Sequence, residues 1–402
     1  MWSSRVFRRS ISSSSAAATA ASAKKKWDAI IIGGGHNGLT SAAYLARAGL
    51  SVAVLEKRRL VGGAAVTEEI VPGFRFSRCS YLQSLLRPSV IRELELSRHG
   101  LKLLKRNPSS FTPCLDGRYL LLSHDAALNH SEISKFSEKD ADAYVSYEKQ
   151  LQKFCDFMDP LLDSPTPESS HGAPSFTDIL KATLATDAVI GATGSVHTPG
   201  SGYVEGGMGS VSLAISKAAC EAGASIITDA EVSQVLVNDD SGAVTGVMLA
   251  DGTQMHSSVI LSNATPYRTF LELVPQNVLP EDFLCAIRNS DYSSESFAQR
   301  CFSLIDEYAP GFSSSIVGYE MLTPPDLEKE FGLTGGNIFH GAVGLGALFL
   351  MRPVKGWSDY RTPLKGLYLC GSGAHPGGGV MGAPGRNSAH VVLEDIKKSR
   401  TT

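Results

Sequence analysis

Short apolar runs alternate with amphipathic stretches along this chain of 402 residues. Residues 27–32 and 51–55 are apolar runs of the length of buried strands, and residues 38–48 between them have helical spacing. Gly49 directly follows the helical stretch, and glycine is the residue that most often ends a helix. A strand, a helix and a second strand in this order predict a parallel sheet of the α/β class.

Similar patterns continue through the rest of the chain. Residues 137–158 predict a long amphipathic helix, residues 281–309 are largely helical in pattern, and residues 164–174 have the composition of an exposed Pro/Ser loop. Further strands are predicted at residues 224–228, 232–237, 243–249, 259–261 and 366–370, and further helices at residues 206–222 and 385–398.

The length of the chain favours two domains over one. We expect residues 27–110, 200–265 and 355–402 to form one nucleotide-binding domain from three separate segments. Residues 111–199, mostly helical, and residues 266–354 would form an interleaved, reduced α+β substrate domain. Residues 1–26 lie outside both domains.

Composition and charge exclude several classes of protein. The net charge of −3 provides no basic face for nucleic acid. No apolar run of roughly 18 residues occurs, so we expect no transmembrane helix, although contact with a membrane surface stays open. The seven cysteines are scattered without a Cys-x-x-Cys pair, which excludes both a secreted disulfide framework and a disulfide reductase.

Residues 1–26 differ in composition from the rest of the chain. They contain Arg5, Arg8, Arg9 and three lysines, no acidic residue, and runs of Ser and Ala. Such a leader is typical of an organellar transit peptide, and Arg-Ser-Ile-Ser at residues 9–12 favours mitochondria. We therefore expect the protein in the mitochondrial matrix. A chloroplast address and a disordered tail are the alternatives.

The turn between the first predicted strand and helix carries a chemical motif, GGGHNG at residues 33–38. This is the G-x-G-x-x-G pattern in the strand–turn–helix setting that it requires. Gly33 allows the tight turn, Gly35 lets the backbone approach a pyrophosphate, and Gly38 lets helix and strand pack closely. The free N–H groups at the start of the helix would hold the phosphates.

Two further features follow the motif. Glu56 ends the second predicted strand, where a carboxylate accepts hydrogen bonds from a ribose hydroxyl. Gly62 and Gly63 would let the backbone lie against a second part of the cofactor, which we do not expect in domains that bind NAD alone. Residues 29–63 therefore predict an FAD site. The remaining residues assigned to it are His36 (through its backbone), Asn37, Lys57 and Val235.

A second glycine-rich loop, residues 371–385, lies between the last predicted strand and the last helix. Its backbone amides would face the flavin ring and the pyrophosphate, so we expect Gly371 and Gly382 at the cofactor. We expect Arg386 at a cofactor phosphate, with a pair to a nearby acid as the alternative. His375 would lie near the flavin or order the loop by a hydrogen bond.

Two other residues near this loop receive structural interpretations. Cys370 ends an apolar strand and is expected to be a small buried side chain rather than a point of flavin attachment. His340 is expected to be a packed loop histidine rather than a catalytic base. The sequence assigns no catalytic residue and no metal ligand.

These blocks, with GGMG at residues 206–209 and SNA at residues 262–264, resemble the phytoene-desaturase-like branch of FAD-dependent flavoproteins with the amine-oxidase fold. Residues 335–340 (GGNIFH) and 367–379 (LYLCGSGAHPGGG) carry the strongest likeness. The resemblance covers most of the chain from residue 27 onward. It implies a Rossmann-type FAD-binding domain with a parallel sheet and amine-oxidase-like architecture, oxidoreductase activity and a mitochondrial address.

The resemblance also implies a longer chain than this one. We expect additional residues in relatives between Val204 and Glu205, and between Asp291 and Phe302, where a polar stretch abruptly joins two helical patterns. The chain is therefore interpreted as an internally shortened form. The FAD-binding half would be largely kept and the substrate cavity would be incomplete.

Three functions compete. The first is an FAD-dependent oxidoreductase of phytoene-desaturase type that passes a hydride from a small, apolar substrate to the flavin, which an unidentified acceptor reoxidises. The second is a flavin amine oxidase, which would need an aromatic cage beside the flavin. The third is a shortened, non-catalytic protein that acts through contacts with a protein partner, in mitochondria by the predicted address.

Overall fold

The computed structural model describes residues 11–12, 26–165, 202–238, 240–288, 305–311, 314, 322–341 and 351–401. Several predictions lie outside these residues. They are the leader apart from residues 11, 12 and 26, most of the predicted loop at 164–174, the helical pattern at 289–304, and the proposed junction between residues 291 and 302.

Fifteen strands occur in the described part of the chain, and most are short. In chain order they are β1 Ile11–Ser12, β2 Ala29–Ile32, β3 Val52–Leu55, β4 Thr67–Val71, β5 Phe74–Ser77, β6 Leu103–Lys105, β7 Ser110–Pro113, β8 Tyr119–Leu122, β9 Gly202–Val204, β10 Ser225–Ile227, β11 Val232–Asn238, β12 Ala243–Leu249, β13 Gln254–His256, β14 Ile260–Ser262 and β15 Leu367–Leu369.

The α-helices of the described residues are α1 His36–Arg47, α2 Pro88–Glu93, α3 Ala126–Ser134, α4 Glu138–Leu162, α5 Gly209–Glu221, α6 Glu281–Arg288, α7 Pro324–Phe331 and α8 Ala383–Thr401. A π-helical turn covers Arg268–Leu273, and two 3₁₀ turns cover Gln276–Val278 and Thr334–Gly336.

A parallel sheet of six strands forms the centre of the fold, in the order β1-β10-β3-β2-β14-β15. Every residue of β2 and β3 is buried. Because both faces of a parallel sheet are covered, its strands are continuous apolar runs rather than alternating ones. Helix α1 packs against α5 and α8. The predicted α/β class with a parallel sheet is confirmed.

The strands of this sheet come from separate parts of the chain. After residue 26, β2 and β3 precede the long helix α4, β10 and β14 follow it, and β15 lies near the end of the chain. In the sheet, β3 lies on one side of β2 and β14 lies on the other. The direction in which successive strands are added therefore reverses at β2. Ligands of open α/β sheets bind outside the carboxyl ends of the strands at such a reversal.

The remaining described strands form smaller antiparallel units. Strands β11, β12 and β13 form a three-stranded sheet, and β4–β5, β6–β9 and β7–β8 form two-stranded ribbons. Helix α4 is longer than its predicted range, and the hydroxyl of Ser137 caps it by accepting a hydrogen bond from Asp140 N at 3.2 Å. Within the described residues, no helix is both long enough and apolar enough to cross a bilayer.

Candidate functional site

A cleft opens at the carboxyl ends of β2, β3 and β14, where the sheet reverses its strand order. The residues that line it come from the phosphate turn, the end of β3, the double glycine, the segment after β14, the loop after α7 and the start of the second glycine loop.

The phosphate turn has the geometry that its glycines require. Gly33 has φ +94°, and its N–H donates to Leu55 O at 2.8 Å. A Cβ on Gly35 would lie 2.7 Å from Asn263 Nδ2, and one on Gly38 would lie 2.3 Å from Gly33 O. Gly35 is the N-cap of α1, and no side chain caps this helix. Its first N–H groups are therefore available to an anion in the cleft.

Glu56 lies on the cleft wall directly after β3 and is only 6% exposed. Its Oε2 accepts from Gly34 N at 2.7 Å and its Oε1 accepts from Arg58 N at 2.9 Å. Burial raises the pKa of this carboxyl, and the two backbone N–H bonds oppose that rise. Each carboxylate oxygen has more than one acceptor direction, so Glu56 retains capacity for a ribose hydroxyl.

The double glycine lies against the phosphate turn. Gly62 has φ +129° and its N–H donates to Gly34 O at 2.8 Å, while Gly63 has φ +56°. A Cβ on Gly62 would lie 2.5 Å from Ala65 O. Both glycines line the cleft, so a second stretch of bare backbone faces the ligand beside the first.

Charged side chains surround the Glu56 end of the cleft. Lys57 lines the cleft. Burial lowers the pKa of its ammonium, and the positive charge of Arg268 lowers that pKa further. Arg58 also lines the cleft. The sequence did not lead us to assign Arg58 to the site, although it lies only two residues after Glu56. Its Nη2 donates to both oxygens of Glu68 at 2.9 Å, and its guanidinium lies 5.1 Å from the Phe331 ring centroid. Its Nη1 is buried without a hydrogen-bond partner among the described residues.

The start of α1 is tied to the second glycine loop. Nε2 of His36 donates to Gly379 O at 3.1 Å, and Nδ2 of Asn37 donates to Ser372 Oγ at 3.1 Å. Burial lowers the pKa of His36 to about 4, so its ring is neutral. His36 lines the cleft while its ring is bound to the loop, which agrees with a contact through its backbone. Asn37 is buried behind the wall.

Gly371, Gly382 and Val235, also predicted for the cofactor site, lie behind the cleft rather than on its wall. A Cβ on Gly371 would lie 2.7 Å from Asn263 O, and one on Gly382 would lie 3.2 Å from a methyl of Val90. Ser372, the neighbour of Gly371, faces the cleft instead. Val235 is fully buried in the core, and Val232 on the same strand lines the cleft.

Arg386 pairs with a nearby acid, the alternative that the sequence analysis left open beside a cofactor phosphate. Its Nε donates to Glu93 Oε2 at 2.9 Å and its Nη2 to Glu93 Oε1 at 3.0 Å. Its Nη1 donates to Asp163 O at 3.0 Å. A two-pronged carboxylate pair satisfies the guanidinium geometry, and this arginine does not line the cleft.

The two other histidines considered in the sequence analysis have different surroundings. Nε2 of His375 donates to Leu161 O at 3.1 Å and its ring is buried away from the cleft, so it orders the loop. His340 lines the cleft. Burial lowers the pKa of His340 to about 3, assisted by the charge of Arg352. Cys370 is fully buried outside the cleft, and burial raises the pKa of its thiol to about 12.

No group of three or more His, Cys, Asp or Glu side chains in the described ranges could hold a metal ion.

Comparison with known proteins identifies relatives along most of the chain. The family model described as FAD dependent oxidoreductase matches residues 28–280. Pyridine nucleotide-disulfide oxidoreductase domain-containing protein 2 of Mus musculus is 38% identical, over 90% of this chain and 92% of that protein. That alignment extends over 538 positions, more than the 402 residues present here, so the relative contains internal stretches that this chain lacks.

More distant proteins match a similar share of the chain. A component of the limonene dehydrogenase of Castellaniella defragrans is 22% identical over 90% of this chain and 93% of its own. Hydroxyneurosporene desaturase of Cereibacter sphaeroides is 24% identical over 90% of this chain and 96% of its own. Among solved structures, a triple mutant of putrescine oxidase has a TM-score of 0.61 at 15% identity, covering 93% of this chain and 99% of that one, which shows a shared fold.

Proposed function

We propose a reaction and a substrate class for this chain, which belongs to the family of FAD-dependent oxidoreductases and uses FAD as its cofactor. The reaction is a desaturation of the phytoene-desaturase type. In such a reaction a small, apolar substrate loses a hydride from one carbon, which bound FAD would accept, and a proton from the neighbouring carbon to solvent, so that a double bond forms. The protein contributes binding, orientation and the exclusion of water.

The residues of the cleft fit FAD on several independent features. The N–H groups at the start of α1 and the bare backbone of Gly33 and Gly35 suit a pyrophosphate. Glu56 stands where a ribose hydroxyl donates. Arg58 has a buried N–H group without a partner in the described residues, and a ligand acceptor would satisfy it.

The similarity to enzymes named for dehydrogenation and desaturation carries this proposal. The limonene dehydrogenase component and hydroxyneurosporene desaturase each match 90% of the chain. The cleft is compatible with such chemistry, because the low pKa values of His36 and His340 keep both rings neutral. Neutral side chains cost less to desolvate beside an apolar substrate than charged ones.

Anaerobic reduction of the bound flavin tests the proposal. The purified chain, loaded with FAD, is mixed with a panel of unsaturated hydrocarbons and a matched panel of primary amines, and the flavin absorbance is followed. Bleaching by hydrocarbons alone supports desaturation. Bleaching by amines alone favours the amine oxidase. A flavin that stays oxidised with every compound favours the shortened, non-catalytic protein, and either of these two results contradicts the proposal.

We also propose that the protein acts in mitochondria, on the composition of its leader. Residues 1–26 contain six basic residues and no acid, as matrix-targeting peptides do. Fusion of these residues to a fluorescent protein should direct it to mitochondria, and changing Arg5, Arg8 and Arg9 together to Glu should prevent this. A fusion found in chloroplasts, or spread through the cell, would contradict this address.

A further inference from the structure

His340 has an unusual environment for a histidine. Its Nδ1 is buried and has no hydrogen-bond partner in the part of the chain that the structure describes, and the residue lines the cleft. A neutral imidazole carries one N–H donor and one bare nitrogen acceptor, and leaving a buried polar atom unpaired is destabilising. A ligand in the cleft that supplies a donor or acceptor would remove this cost.

The backbone of His340 is held in a conformation that side chains rarely adopt. Its φ is +58°, in the left-handed region. Its N–H donates to Asn337 O at 3.0 Å, and its own carbonyl accepts from Arg352 Nη2 at 3.2 Å. Conformations of this kind persist where the surroundings fix them, and they are concentrated at sites that clamp ligands. The backbone of His340 is thereby held at the cleft.

Arg352 also shows which half of the cofactor His340 faces. The same Nη2 donates to Ser372 O at 2.9 Å, so His340 lies beside the segment that follows β15. Strand β15 is three positions from β3 in the sheet, and Glu56 directly follows β3. Three strand spacings are roughly 14 Å. By this spacing His340 lies nearer the loop after β15 than the end of β3, on the side where the flavin-bearing half of FAD would extend.

We infer that His340 is a cofactor-contacting residue that hydrogen bonds through Nδ1 to the flavin-bearing half of FAD. The sequence-based interpretation of His340 as a packed loop histidine is the alternative. The inference rests on the FAD site and not on desaturation. A wild-type protein that binds FAD but is not reduced by hydrocarbons fails the proposed function and leaves this inference intact.

FAD and ADP-ribose, used side by side, test the two halves of the site separately. ADP-ribose carries the adenosine, the pyrophosphate and a ribose but no flavin. His340→Phe should raise the Kd for FAD about tenfold, as expected for one lost hydrogen bond of about 1.4 kcal/mol, and leave the Kd for ADP-ribose unchanged. His340→Gln, which keeps a donor and an acceptor, should recover part of the FAD affinity. Glu56→Ala should raise the Kd for both ligands.

The control is His390→Phe. This histidine lies on α8 with its ring 5.6 Å from that of Tyr44, outside the cleft, and its replacement should change neither Kd. Equal affinity of wild type and His340→Phe for FAD, or equal weakening of both ligands, would overturn the inference. Should His340→Phe fail to fold, ¹⁵N NMR of the histidines in the wild-type protein decides. FAD should shift one Nδ1 resonance that ADP-ribose leaves in place, and the absence of such a shift overturns the inference.

Discussion

The ring of His36 joins the two glycine-rich loops of the molecule. Its Nε2 donates to the carbonyl oxygen of Gly379, 3.1 Å away and 343 residues later in the chain. The histidine thus holds the loop after β15 against helix α1, which follows the phosphate turn. The bond requires a proton on Nε2, and burial keeps the ring otherwise neutral by lowering its pKa to about 4.

This burial predicts acid sensitivity. The ordinary pKa of histidine is 6.5 and that of folded His36 is about 4, so the unfolded chain binds the proton first as the pH falls. The stability contributed by the neutral ring is complete above pH 6.5 and is lost as the pH falls toward 4. His375, with a pKa of about 4, and His340, with one of about 3, add to the effect.

Urea unfolding of the apoprotein at a series of pH values measures this loss. One such histidine should lower the free energy of unfolding by about 2 kcal/mol between pH 6.5 and about pH 5. His36→Gln keeps an N–H donor for Gly379 and cannot be protonated, so its stability should fall by that much less over the same range. An identical pH profile for wild type and variant would contradict the neutral, buried state of His36.

Gly35→Val should abolish FAD retention. The first added carbon would already lie 2.7 Å from Asn263 Nδ2, and the branched side chain would fill the place where the pyrophosphate approaches the backbone. The purified variant should be colourless while its circular dichroism stays that of the wild type. Gly117→Ala, at an exposed turn with no atom within 4 Å of the new carbon, is the control and should remain yellow. A yellow Gly35→Val protein would place the phosphates elsewhere.

Arg386→Gln should lower stability without changing the affinity for FAD. Its two bonds to Glu93 tie α8 to α2 and are partly buried, and hydrogen bonds to charged groups contribute about 1.5–3 kcal/mol. Glu93→Gln should produce a similar loss, and the double variant should lose less than the sum of the two. Weaker FAD binding at unchanged stability would restore the cofactor assignment of Arg386.

The sequence predicted the sheet and the phosphate turn because their signals are local. The apolar runs at 27–32 and 51–55 are buried strands, and the spacing of Gly33, Gly35 and Gly38 follows from contacts within a single turn. Arg386 could not be placed in this way. Its partner Glu93 is 293 residues away, and spacing does not reveal which acid approaches a given arginine.

The sequence also could not show which valine of β11 lines the cleft. Strand β11 contains register shifts between Val232 and Gln234 and between Leu236 and Val237. Strict alternation of inward and outward side chains fails across such irregularities, so the pattern cannot show which valine faces the cleft. Nor does the sequence show that Nδ1 of His340 is buried without a partner among the described residues.

The FAD content of the purified full-length chain tests the central claim most directly. Relatives contain internal stretches that this chain lacks, so cofactor binding by the shortened form is the point in question. We predict a yellow protein with the absorption spectrum of an oxidised flavin, which releases one FAD per chain on denaturation. A folded but colourless protein, whose melting temperature does not rise when FAD is added, would contradict the account.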